Sequence, residues 1–293
     1  MGSTFKLTLC NVKDNDSLKF ILAWKEIDRI EKLISSWIDS SEISKINNMA
    51  GKAAVSVSEE VFKLLKLSQE IYFLTQGAFD LSIKPALKIW NWKSGKVPSG
   101  EEVKLAKSLV GFNKIVFTDS VYTVFLPIKG MHLDLGGIGK GYAAYCVAKI
   151  WKEQGISAGA INAGGDLYVF GNSCNSNDWN ISIRNPLKNN EVIYTLKQTN
   201  ISVTTSGDYE RFFTKDSVKY SHILNPKTCT PVKGITSVTV FSADPVLADA
   251  LATSLSVMGV TAGLDLINQM DGVDAIMIQS DGRVFFSNQL ILK

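Results

Sequence analysis

Between His132 and Ala144 the chain reads HLDLGGIGKGYAA, and no other stretch limits its fold so tightly. Leu133 and Leu135 alternate with Asp134 as in a strand. Gly136, Gly137, Gly139 and Gly141 then let the backbone pass close to a neighbour or a ligand, and helix formers follow. The stretch is expected to run strand, glycine turn, helix, with Lys140 at the helix start, an arrangement suited to an anion. Two familiar loops do not fit it. A Walker loop needs a glycine five residues ahead of its Gly-Lys pair and a Ser or Thr behind, where this chain has Asp134 and Gly141. The dinucleotide fingerprint fails too, because Gly137, Gly139 and Gly141 are spaced two and two. A plain strand-to-helix turn with a solvated lysine is the competing reading.

The elements around this stretch are mixed. Phe20, Trp24, Ile27, Ile30, Ile34 and Trp37 fall at helical spacing between Ser17 and Trp37, and Ser58 caps a second helix that runs to about Thr75. Ser99 with Glu102 forms a capping box, and Gly155 ends a helix from Gly141 to Glu153. Short alternating runs (KIVFT, AGAIN, DLYVF, WNISIRNP, ISVTTSG, KYSHILNP, SVTVFSA) read as strands, with helices again at 246–258 and 261–269. The order predicts an α+β fold with largely antiparallel sheets. Its 293 residues, 45% of them hydrophobic, can bury a large core, taken as a single domain over 1–293 with two structurally similar halves.

Composition removes several functions. The charge of +3 comes from 31 basic against 28 acidic residues with no basic block, which argues against nucleic acid. Cys10, Cys146, Cys174 and Cys229 are far apart without C-x-x-C spacing, so neither a zinc site nor a disulfide framework is expected. With only His132 and His222, a multi-histidine metal centre is excluded. No apolar run reaches the roughly 20 residues of a membrane span, and the N-terminus lacks a signal-peptide core.

Six places could carry chemistry. Asp249 and Thr253, four apart, share one helix face and offer two hard oxygens suited to Mg²⁺; alternatively Thr253 bonds back to its helix and Asp249 faces solvent. His222 stands at a strand end before the Asn225-Pro226 turn, as a catalyst or as a surface residue. Trp37, beside the polar run IDSSEISKIN, can stack on a planar ligand or on the core, and the exposed-looking Ala78-Phe79-Asp80 reads as a turn. NAGGDLYVFG and TTSGDYERF are strand-end turns that are structural or line a pocket.

Taken in order, MGSTF, SEISKIN, TQGAFDLSIKP with IWNW, HLDLGGIGKGYAA, NAGGDLYVFG, WNISIRNP, TTSGDYERF, HILNPKTCTP and ADALATSLSVMG resemble the ApbE family of FAD:protein FMN transferases over essentially the whole chain. The resemblance implies an α+β fold with a duplicated helix-plus-antiparallel-sheet motif. It implies an activity that uses FAD and Mg²⁺ to place FMN on a threonine of a target protein through a phosphoester, releasing AMP. FAD hydrolysis to FMN and AMP, or FAD binding without turnover, are the alternatives. It assigns Asp249, Thr253 and the Gly137 carbonyl to Mg²⁺. Contacts to FAD fall to Met1, Trp37, Ala78, Phe79, Asp80, Asp134, Lys140, His222 and Ile223, with His222 or Asp249 taking the threonine proton. The implied partner is a membrane electron-transport subunit or a soluble reductase. Asn225 and Cys229 replace an acid and a glycine of the family's usual turn, and Trp37 replaces a common tyrosine. Location is expected to be the cytoplasm if Met1 is the native start, and the periplasm or a lipid anchor if a leader preceded it.

Overall fold

The computed structural model describes residues 2–10, 17–92, 94–175, 178–188 and 191–290. In chain order its strands are β1 (Phe5–Leu9), β2 (Val55–Ser56), β3 (Val116–Thr118), β4 (Thr123–Phe125), β5 (Gly159–Ala163), β6 (Asp166–Phe170), β7 (Trp179–Arg184), β8 (Val192–Gln198), β9 (Ile201–Gly207), β10 (Phe212–Lys215), β11 (Val218–Ser221), β12 (Leu224–Asn225), β13 (Thr230–Pro231), β14 (Ile235–Ser242), β15 (Val273–Gln279) and β16 (Val284–Phe286). The α-helices are α1 (Ser17–Ile34), α2 (Glu42–Asn48), α3 (Glu59–Leu74), α4 (Lys84–Ile89), α5 (Gly100–Ser108), α6 (Gly139–Glu153), α7 (Pro245–Met258) and α8 (Val260–Ile267).

Seven strands form one antiparallel sheet in the order β1-β5-β6-β9-β14-β15-β16. The period-two alternation of side chains divides it into two apolar faces. Ile161 and Phe170 pack with Ile30 of α1 and Trp151 of α6, and further along Val240 and Met277 pack under Leu251 of α7 and Ile267 of α8. The opposite face, with Val169, Phe241 and Ile276, is covered by Ile181, Ile183 and Tyr194 of the β7–β8 hairpin. A helix followed by an antiparallel hairpin occurs twice, as α6 with β5–β6 and as α7–α8 with β15–β16. A smaller core joins Trp90, Ala106, Phe213, Leu224 and Cys229 beneath α4 and α5. Among the described residues no helix is long and apolar enough to cross a membrane.

Local signals hold where capping chemistry is explicit. Ser58 accepts the Val61 amide at the head of α3, and Ser99 with Glu102 closes the capping box of α5. Four expectations change. First, HLDLG is not a ladder strand. Leu133 and Leu135 are buried in alternation, but the side-chain amide of Asn47 takes both the N–H and the C=O of Leu133, at 2.6 and 3.0 Å, and Asp134 N donates to Leu81 O. An asparagine and a loop carbonyl thus do the work of a neighbouring strand. Second, α1 stops at Ile34 and leaves Trp37 outside, 79% exposed. Third, KYSHILNP breaks at His222, where β11 gives way to β12. Fourth, Cys10 and Cys174 form a disulfide with their Cα atoms 4.7 Å apart. Spacing along the chain could not show it. Leu9 and Phe170 pair with the same residue, Gly159, so β1 and β6 end side by side and bring the two cysteines together.

Candidate functional site

The glycine loop is shaped by what lies against it. A Cβ at Gly141 would fall 2.1 Å from the Pro245 carbonyl and 2.9 Å from Asp249 Cβ, so only glycine lets α6 approach α7 this closely. That approach lets Asp249 Oδ2 accept the Gly141 amide at 2.8 Å. A Cβ at Gly137 would lie 3.3 Å from Thr253 Oγ1 and 3.4 Å from the Phe79 ring. Gly137, Asp249 and Thr253 therefore meet in space. Asp249 does not face solvent, being 2% exposed, and the Thr253 hydroxyl is turned toward Ser206 Oγ, 3.5 Å away.

Charge at this point is unbalanced. Lys140 Nζ is ion-paired with Asp166 Oδ2, and the other oxygen of Asp166 accepts the Thr205 amide at 3.2 Å. Asp166 is buried like Asp249. Burial, then repulsion from Asp249, pushes the Asp166 carboxyl above its usual range against the pull of Lys140, and burial also raises Asp249. Burial disfavours the Lys140 charge, yet Asp249 and Asp166 together hold its pKa above the ordinary lysine value. Two buried carboxylates face one ammonium, and hydroxyls of Thr253 and Ser206 stand beside them. This set of hard oxygens fits Mg²⁺.

A second cluster flanks the loop. Asp134 accepts the Ser36 hydroxyl at 2.6 Å and the Gly136 amide at 3.0 Å. Lys84, itself buried, donates to the Ser36 carbonyl and sits 4.6 Å from the centroid of the exposed Trp37 ring. Burial lowers the Lys84 pKa while Asp134 opposes the shift. His132 is held neutral, its pKa pushed down to about 4 by burial and by Lys88 and Lys84. An exposed indole beside a cation, one step from the glycine loop, is a platform for a flat ring ending in a charged chain.

The remaining expected residues are placed as follows. Ala78, Phe79 and Asp80 are buried rather than exposed. The Asp80 carboxylate takes the amide and hydroxyl of Ser82, at 2.7 and 2.6 Å, and the Phe112 amide, so it braces this loop from within. His222 is tied to the Arg211 carbonyl through its amide, at 2.9 Å, and through Nδ1, at 3.1 Å. Burial, with Arg211 and Lys140 nearby, lowers its pKa to about 4. Ile223 is buried and its carbonyl accepts the Val232 amide. Met1 lies outside the described residues; Gly2 approaches Arg211, whose guanidinium lies 3.8 Å from where a Gly2 Cβ would be.

Asp166, Ser206 and Lys84 were not named individually, although NAGGDLYVFG, TTSGDYERF and TQGAFDLSIKP contain them. Asp166 had a signal, since Gly164 and Gly165 at φ 66° and 109° turn the chain sharply just before it. Ser206 and Lys84 lie in marked runs, but nothing local sets them apart from their neighbours there.

The sequence profile of the ApbE family matches residues 1–277. The FAD:protein FMN transferase of Klebsiella pneumoniae (strain 342) is 30% identical over 292 residues, covering 98% of this chain and 90% of that protein. The protein of that name from Treponema pallidum (strain Nichols) is 31% identical over 271 residues, 87% of this chain and 75% of its own. Among solved structures, the ApbE protein of Thermotoga maritima superposes with a TM-score of 0.91 at 31% identity, covering 98% of this chain and 94% of that one. The flavin transferase ApbE from Vibrio cholerae gives 0.87 at 25% identity over 98% and 94% of the two chains.

Proposed function

This chain belongs to the ApbE family, and we propose that it transfers FMN from FAD to a threonine hydroxyl of a target protein, using Mg²⁺ and releasing AMP. The observation that carries the reading is the meeting of Gly137, Asp249 and Thr253 beside the buried Lys140–Asp166 pair. In this reading Asp249, Thr253 and the Gly137 carbonyl hold Mg²⁺, which when bound neutralises charge on the pyrophosphate oxygens. Lys140, fixed by Asp166, places positive charge where the leaving phosphate develops negative charge. Trp37 with Lys84 and Asp134 receives the extended remainder of FAD. The loop at 78–80, braced from within by Asp80, supports Gly137 through the Phe79 ring.

The threonine oxygen bonds to the FMN phosphorus, and the bond from that phosphorus to the bridging oxygen breaks. AMP leaves with that oxygen. The hydroxyl proton needs an acceptor. His222 is neutral at neutral pH and donates Nδ1–H to Arg211 O, which leaves Nε2 to take it. Asp249 is the metal ligand in this assignment.

The partner is an electron-transport subunit or a flavin-dependent reductase with an accessible threonine. Mass spectrometry of such a subunit after incubation with the chain, FAD and Mg²⁺ tests the proposal, with a gain of one FMN on threonine expected. Release of AMP and free FMN with the subunit left unmodified would make the chain a pyrophosphatase instead.

A further inference from the structure

Asp249, Thr253 and Ser256 follow one another at four- and three-residue steps and so share one face of α7. At its inner end that face meets Gly141 and Gly137; at its outer end, from Ser256 to Gly259, it borders a groove whose far wall is the β12–β13 hairpin. The hairpin continues directly from His222. Leu224 pairs with Pro231 and Asn225 with Thr230, so the chain that leaves the site at His222 returns along the groove. Both walls therefore run from the reaction residues to the same open groove.

The groove's chemistry differs from that of the nucleotide side. Asn225, Thr228 and Thr230 line it with amide and hydroxyl groups, Ser256 borders it with its hydroxyl turned back to the Ala252 carbonyl, Lys233 stands exposed at its rim, and among the described residues no carboxylate lines it. There is no ring platform among its lining residues, whereas Trp37, Lys84 and Asp134 lie on the other side of the glycine loop. From Thr253 to Met258 the helix advances roughly 8 Å, which is the span of about two or three residues of extended chain.

We infer that this groove binds the target protein as an extended segment, seating the two or three residues beside the acceptor threonine, with an acidic side chain among them against Lys233. The inference rests on the flavin-transfer reading and names the recognition element of its protein substrate. The threonine lies at the inner end, under Thr253 and His222, and the flanking backbone runs outward between α7 and the hairpin. Hydroxyl and amide groups tolerate varied small side chains, while Lys233 selects by charge.

The test uses two fluorescent nonapeptides of alanine and glycine with a central threonine, one carrying aspartate three residues from it and the other lysine there. Their binding to the full chain is followed by anisotropy in the presence of FAD and Mg²⁺. The aspartate peptide is expected to bind at least tenfold more tightly, and Lys233→Glu is expected to reverse the preference. Equal binding of the two peptides, no binding of either, displacement of FAD by the aspartate peptide, or indifference to Lys233→Glu would each overturn the inference. Release of AMP from FAD without any peptide is measured in parallel and is expected to be unchanged in Lys233→Glu. A wild-type chain that transfers FMN to a protein yet fails the peptide test sinks the groove alone. One that binds the peptides but never transfers flavin sinks the parent reading.

Discussion

Two clusters in this protein are built from the same materials, a pair of carboxylates and one basic side chain, and they behave in opposite ways. Between α1 and α3, Arg29 forks onto both acids. Its guanidinium reaches Glu26 at 2.7 and 2.8 Å and Glu60 at 2.7 and 2.8 Å, and Tyr142 adds a 2.8 Å bond to Glu60. The hydrogen bond from Arg29 holds Glu60 below the usual carboxylate range, and the acids raise the arginine in return. At the candidate site one ammonium reaches Asp166, while Asp249 has backbone amides for company, and both acids are pushed up. Five planar donors saturate two carboxylates; a single ammonium cannot.

The lesson concerns how a metal site is recognised. Ligand atoms of Glu26, Glu60 and Cys146 lie within 4.8 Å of one another, which by proximity alone resembles a metal cage. Arg29 already occupies the acceptor capacity of the two acids, and burial pushes the Cys146 thiol up to about 12, leaving it protonated and a poor ligand. That cluster is a staple. The Asp166–Lys140–Asp249 cluster retains acceptor capacity in a place water scarcely reaches, and that property, rather than proximity, is what a cation site requires.

Breaking the unbalanced cluster should have the largest effect. Asp249→Asn is expected to reduce Mg²⁺-dependent AMP release by about 100-fold or more, and to show none of the Mg²⁺-induced rise in melting temperature expected of the wild type. An unchanged rate would take Asp249 out of the metal site. His222→Ala should slow flavin transfer by about 10- to 100-fold with FAD still bound, as read by transfer rate beside equilibrium FAD binding. Its pH signature has a definite sign. A histidine held at about 4 in the fold and at 6.5 when unfolded costs stability as pH falls through that window. Urea titrations at successive pH values should therefore show a shallower acid loss in His222→Ala; His132, which is also held at about 4, contributes in the same direction.

Breaking the saturated cluster should cost less and cost something different. Arg29→Ala is expected to lower stability by about 1 kcal/mol, because the arginine is partly exposed and its pairs are screened, while Mg²⁺-dependent turnover stays put. A large loss of turnover there would erase the distinction between the clusters. The smallest effect is expected at Cys229, whose φ of 56° lies in the left-handed region that favours glycine. Cys229→Gly relieves that conformation but empties a buried site, so chemical denaturation should shift by less than about 1 kcal/mol.

Cys229 also shows why departures in a motif are hard to weigh from sequence. Asn225 keeps the turn through its side chain, accepting the Lys227 amide at 2.8 Å, and its carbonyl accepts the Cys229 amide at 2.7 Å. Trp90 Nε1 then donates to the Cys229 carbonyl, securing from outside what a glycine would have given freely. The helices and their caps were legible because those signals act within a few residues. The site residues singled out in advance came from collinear motifs, and Asp249 and Thr253 could be paired because four residues define one helix face. What escaped is non-local. Asp166 gains its meaning only when β6 lies beside α6, Asn47 replaces a strand for Leu133 from across the chain, and the Cys10–Cys174 bond depends on both partners flanking β5.

Strand β14 gives the site an uneven clock. All eight of its residues are buried, it has a neighbour on each side, and α7 packs upon it. Its amide hydrogens should exchange with solvent only when the whole molecule opens, whereas those of the two-residue ladder β12–β13 should exchange through local fluctuation. The wall that carries Asp249 and Thr253 is thus anchored to the slowest part of the protein, and the wall that follows His222 belongs to one of the quicker ones. A substrate entering between them meets one surface that holds still and one that can give way.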